Sequence, residues 1–71
     1  MKTTLLKKFG ERIRAARTKI GMSQEVLAKK SGLHRTYIGM IERAEKNVTL
    51  QNMSRILKAM KIKISDFFKD F

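Results

Sequence analysis

Arg35, Thr36 and Tyr37 are three consecutive hydrogen-bonding side chains, followed closely by apolar Ile38 and Ile41, in a chain of formal net charge +11. Their chemistry is that of recognition. The planar guanidinium fork of Arg35 suits guanine O6 and N7, a pairing worth roughly 1–3 kcal/mol of discrimination, and the Thr36 hydroxyl can donate, accept or touch a thymine methyl. Tyr37, the only tyrosine, joins them as a base-reading candidate; a phenol of this kind also suits a phosphate contact or the edge of a helix pair. Arg43, Lys46, Asn47 and Thr49 gather just downstream as candidate phosphate ligands, and the lone His34 stands next to Arg35 as another. Ser23 and Gln24 open a helix, where free backbone N–H groups favour phosphate. Such contacts position a protein on a duplex without reading its sequence. Bond-making chemistry has no such support. With one histidine, no cysteine and no phosphate-binding glycine loop, no catalytic residue, metal or cofactor is expected.

Presenting these groups requires two helices joined by a tight corner. The first of them begins at Ser23, an N-cap residue, and turns its inner face through Val26, Leu27 and the stem of Lys30. Ala28 is small enough for close helix approach. Ser31-Gly32-Leu33 is the corner: Gly32 takes the left-handed conformation without penalty and Leu33 plugs it. The next helix runs from about His34 to Arg43, with Ile38 and Ile41 inward and His34, Arg35, Thr36, Gly39, Met40 and Arg43 on the other side.

Upstream, a helix from about Thr4 to Lys19 carries Leu5 or Leu6, Phe9, Ile13, Ala16 and Ile20 at helical spacing, with Gly21 as its stop. Gly10 is expected to weaken it by about 1 kcal/mol relative to alanine. Downstream, Thr49 caps a helix with the stripe Leu50, Met53, Ile56, Leu57 and Met60. Ser65 is the expected cap of a short last helix, Asp66 to Asp70. Ile64, Phe67, Phe68 and Phe71 make that tail too apolar to stand free. One phenylalanine can cover the chain's own core; the others call for a second copy.

The chain therefore reads as all-α, one domain over residues 1–71, with the segment from about 65 to 71 contributing to a dimer interface. A domain of 71 residues buries only roughly 60% of its unfolded surface, so dimerisation adds core where it is scarce. Seventeen Lys and Arg against six Asp and Glu call for an anionic partner. No apolar run approaches the roughly 18 residues of a membrane span, and the N-terminus lacks the uninterrupted apolar core of a signal peptide; a cytoplasmic protein is expected.

The string Gln24-x-x-Leu27-Ala28-x-x-x-Gly32, followed by Tyr37-Ile38-x-x-Ile41-Glu42-Arg43, resembles the phage repressor class of helix-turn-helix proteins, the Cro/CI or XRE family, across essentially the whole chain. Leu33-x-Arg35-Thr36-Tyr37-Ile38 and Asn47-x-Thr49-Leu50 are similar to a narrower group, the controller proteins of restriction-modification systems. The resemblance implies a compact five-helix, lambda-repressor-like domain that binds a pseudo-palindromic operator as a homodimer and both activates and represses. It implies that Gln24 bonds a phosphate and bridges to the recognition helix, and that Arg17 and Glu42 form a structural ion pair. Glu25 lies near the acidic residue that family activators offer to RNA polymerase, although basic Lys29 beside it departs from a strongly acidic patch. A phage-type repressor or an antitoxin-type autoregulator is the alternative within the family. A cationic membrane-active helix built on Lys7, Lys8, Arg12, Arg14, Arg17 and Lys19 leaves the Gly32 corner unexplained.

Overall fold

The computed structural model describes residues 3–71, so the first two residues of the expected domain lie outside it. Five helices follow one another: α1 (Thr4–Lys19), α2 (Gln24–Ser31), α3 (Arg35–Glu42), α4 (Leu50–Ala59) and α5 (Ile64–Phe67), with no strand among the described residues. Thr3, Ser23 and Thr49 cap α1, α2 and α4 through their side-chain oxygens, which accept from Leu6 N, Val26 N and Asn52 N. Each satisfies a backbone donor that the first helical turn leaves free.

The core is a single cluster. Ile13, Leu27, Ile38, Ile41, Ile56 and Leu57 are its fully buried centre, and Phe9, Ala28, Met60 and Phe67 close it. α3 packs against both α1 and α2, while α4 packs against α2 and carries α5. Gly10 sits where α1 meets the end of α3. A Cβ there would overlap the Ile41 carbonyl and lie 2.8 Å from that of Glu42. The glycine that weakens α1 in isolation is thus what lets two helix backbones touch.

Helices α1 to α4 end in the same device. The residues at Gly21, Gly32, Ala44 and Lys61 take positive φ (72°, 74°, 60° and 58°), and the N–H of the residue after Gly21, Ala44 and Lys61 returns to the carbonyl five residues back. At Gly32 the Leu33 N–H returns to Ala28 in the same way. These reversals satisfy orphan carbonyls and turn the chain within two residues. Gly21 and Gly32 are the glycines expected at corners; Ala44 and Lys61 are not glycine and carry no such signal.

Several expected positions differ. Val26 is 41% exposed and Leu50 74% exposed, because both sit in the first turn of their helix, where the chain has not yet rotated onto the core. Ile20, the C-cap of α1, and Leu5 also face outward. Gly39, placed on the outer side of α3, is buried beneath the Arg43 guanidinium. The last helix starts at Ile64, not Asp66. Its N-cap is Lys63, and Ser65 lies inside it, because the reversal at Lys61 returns the chain to helix two residues earlier than expected.

Candidate nucleic-acid interface

The α2–α3 corner presents one polar face, and a buried carboxylate holds it. Glu42, the last residue of α3, has a side chain only 3% exposed. Its Oε2 accepts from Arg17 Nε at 2.6 Å, and its Oε1 accepts from Arg17 Nη2 at 3.1 Å and from Gln24 Nε2 at 3.0 Å. Arg17 Nη1 donates onward to the Met22 carbonyl at 2.8 Å. The ion pair therefore joins α1 to the end of α3, and Gln24 ties the start of α2 into it. A buried charge is tolerable only when it is paired and its lone pairs are filled, as here.

With its amide nitrogen committed to Glu42, Gln24 leaves its oxygen facing a shallow polar depression of about 210 Å³ lined by Gln24, Arg35, Thr36, Gly39 and Arg43. Arg35 also borders the neighbouring hollow formed by Ser23, Glu25, Val26 and Lys29. Its side chain stands between the two, exposed, and Thr36 beside it is exposed as well. These two share the outer surface of α3, and Gly39 lies beneath the Arg43 guanidinium at the floor of the depression. Arg43 makes an exposed ion pair with Glu45 (Nε–Oε1 3.1 Å), a contact weak enough in water to be exchanged for another anion.

Tyr37 lies apart from Arg35 and Thr36. Its ring is half-buried against the core, and its hydroxyl accepts from Asn52 Nδ2 at 3.1 Å, with the Asn47 carbonyl 3.5 Å away. Lys46, Asn47 and Thr49 are exposed around the start of α4, and His34, the N-cap of α3, is exposed as well. Exposed polar and basic side chains thus stand at the start of α3 and at the start of α4. Sequence reasoning did not single out Asn52. Its only sequence signal is a place three residues after the Thr49 cap, where its backbone N–H is the one capped.

The C-terminal set divides. Phe67 is 6% exposed and belongs to the chain's own core, edge-on to Phe9 at 5.4 Å, so its side chain is not offered outward with the rest of the expected dimer residues. Phe68 and Phe71 are half-buried and meet edge-on at 4.8 Å. Lys8 and Arg12 of α1 cover the Phe71 ring at 5.2 and 4.9 Å. Arg12 also donates to the carbonyls of Phe67, Lys69 and Asp70 at 2.8, 2.9 and 3.0 Å. Ile64 is 45% exposed, beside an apolar groove floored by Leu57 and Ile62 and rimmed by Lys58, Lys61 and Lys63. Among the described residues, no helix is long and apolar enough to cross a membrane, and no three acidic, histidine or cysteine side chains gather as a metal site would require.

A helix-turn-helix family model matches residues 13–67, which span α2, α3 and α4 whole. The chain is 50% identical over 52 residues to control protein C.SmaI of Serratia marcescens; the match covers 73% of this chain and 62% of that protein. Its structure is similar to that of the restriction-modification controller protein C.AhdI from Aeromonas hydrophila, with a TM-score of 0.89 and 44% identity over 93% of this chain and 100% of that one. It is also similar to the controller protein C.Esp1396I, solved as a tetramer in complex with its natural 35 base-pair operator. There the TM-score is 0.92 at 39% identity, covering 97% of this chain and 91% of that one.

Proposed function

This chain belongs to the helix-turn-helix family, and on that premise we propose that it is a restriction-modification controller protein: a sequence-specific transcriptional regulator that binds a pseudo-palindromic operator as a homodimer. The observation that carries the reading is the outer face of α3. Arg35 and Thr36 stand free there, while among the described residues every buried side-chain nitrogen and oxygen is already satisfied. α3 enters the major groove, with Arg35 and Thr36 on base edges. Ser23, His34, Arg43, Lys46, Asn47 and Thr49 around that face, and Gln24 through the backbone N–H at the start of α2, hold phosphates.

Two copies join through the face that carries Ile64, Phe68 and Phe71, with Phe67 bracing it from within. A two-fold pair sets its recognition helices about one DNA turn apart, roughly 34–36 Å, which makes the operator palindromic. The tetramer of C.Esp1396I on one operator supports two such dimers side by side. Glu25, exposed near the start of α2, is the candidate contact for RNA polymerase when the protein activates. The protein acts in the cytoplasm, as a DNA-binding regulator and not an enzyme.

Selection of random duplex DNA on the purified protein, near physiological salt, tests this directly. A two-fold symmetric motif whose genomic matches flank a methylase or endonuclease gene is the expected result. Binding with no recovered motif, lost as salt rises, would sink the reading.

A further inference from the structure

Tyr37 is the only tyrosine of the chain, and there is no tryptophan. Its hydroxyl sits at the seam between α3 and the start of α4, and the two groups that meet it are unequal. Asn52 Nδ2 donates to the phenol oxygen at 3.1 Å, an ordinary hydrogen bond. The Asn47 carbonyl stands at 3.5 Å, the far edge of hydrogen-bond range and on the exposed side. A phenol has one hydrogen to give and an oxygen that can accept. Here the accepting role is taken from inside the protein, and donation into the phenol oxygen polarises its O–H. The hydrogen goes to the Asn47 carbonyl in a long bond on the exposed side, which another acceptor can replace.

Asn52 is itself fixed. Its backbone N–H donates to Thr49 Oγ1 at 3.0 Å, within the first turn of α4. Thr49, Asn52 and Tyr37 form one chain of bonds from the start of α4 to the side of α3.

We propose that Asn52 is a positioning residue that sets Tyr37 as a hydrogen-bond donor toward DNA. Tyr37 then meets only acceptors: a phosphate oxygen, or a base acceptor such as guanine O6 or thymine O4. It gives nothing to the amino groups of cytosine or adenine. The inference rests on the DNA-binding reading above and adds to it a polarity for Tyr37 and a residue outside the recognition helix that imposes it.

The test uses the full chain carrying Asn52→Ala, Tyr37→Phe, or both. Asn52→Ala keeps the capped backbone N–H and places a strong helix former in α4, so the fold persists. Because Tyr37 is the sole reporter, the near-ultraviolet absorption of the free protein reads its hydrogen bond without DNA; Asn52→Ala is expected to shift that band. Binding is measured on the selected duplex and on the unselected random pool. Each single substitution is expected to weaken binding by roughly threefold to tenfold, the worth of one hydrogen bond. The double substitution is expected to be no worse than the weaker single variant, since both remove the same contact. Equal loss on both DNAs assigns a phosphate oxygen; loss on the selected duplex alone assigns a base acceptor. An unchanged spectrum, unchanged binding on both DNAs, or losses that multiply in the double variant overturn the proposal. Should the wild-type protein select no motif, the regulator reading fails separately, while the spectrum and the random pool still decide the role of Asn52.

Discussion

Arg35 and Lys46 carry the same charge, and the function proposed above gives them different work. Arg35 projects from the outer surface of α3 between two hollows, whereas Lys46 lies in the exposed segment before α4. Arg35→Ala is expected to lower the preference for the selected operator over scrambled DNA by roughly 1–3 kcal/mol. Lys46→Ala is expected to weaken all sequences alike and to flatten the salt dependence by about one unit of slope. Competition binding across a salt series separates them. If Arg35→Ala weakened both DNAs by one factor, Arg35 would be a phosphate contact. Beneath them, Glu42 holds two helices to α3 through a single carboxylate. Arg17→Met strands that charge and is expected to cost about 3–5 kcal/mol in urea unfolding, a large part of what a domain this size has. Adding Glu42→Leu should recover much of the loss; if the pair of substitutions is as damaging as the single one, the stranded-charge account is wrong.

At the scale of the element, what the sequence conveys depends on whether a feature has a residue type of its own. The caps at Ser23 and Thr49 and the corners at Gly21 and Gly32 are legible because hydroxyls and glycines do those jobs. The reversals at Ala44 and Lys61 are equally sharp but are made by residues that signal nothing. The wrong start for α5 follows directly from missing the second one. Val26 and Leu50 are misplaced for another reason: a helical stripe read from spacing alone cannot say on which turn a helix first reaches its neighbour. The α3 face and the Arg17–Glu42 pair are readable through the family motif, whereas the partner of Tyr37 lies in α4, fifteen residues away, and only the packed fold brings it near. Gly10 shows how a local reading can have the wrong sign. Helix propensity alone makes Gly10→Ala stabilising by about 1 kcal/mol, but the overlap with two α3 carbonyls makes it destabilising. Lys61→Gly has the opposite outcome. Lys61 is exposed at φ 58°, so relief of left-handed strain should outweigh the added chain entropy and raise the melting temperature by a few degrees. Thermal melts of the two variants check both signs, and a lower melting point for Lys61→Gly would refute the strain argument.

At the scale of the whole molecule, the charge and the C-terminal face act together. The net charge of +11 repels itself in the free protein and is offset by phosphates on DNA. Of the residues assigned to the dimer face, Ile64 is the one whose removal leaves the aromatic cluster intact, since Phe67, Phe68 and Phe71 pack on one another. Ile64→Glu is therefore expected to give a folded monomer that sediments as a single chain and loses most of its operator affinity; an undisturbed dimer would place the interface elsewhere. The grip of Arg12 on the carbonyls of Phe67, Lys69 and Asp70, with the Phe71 ring under its guanidinium, has a kinetic meaning. The final residues are already shaped before a second copy arrives, so little ordering entropy remains to be lost on pairing. Association then resembles the meeting of two finished surfaces, at the roughly 10⁵–10⁷ M⁻¹s⁻¹ typical of such encounters. A regulator whose pairing does not wait for folding tracks its own concentration promptly: the share of dimer at any moment reflects how much protein has been made, not how long ago it was made.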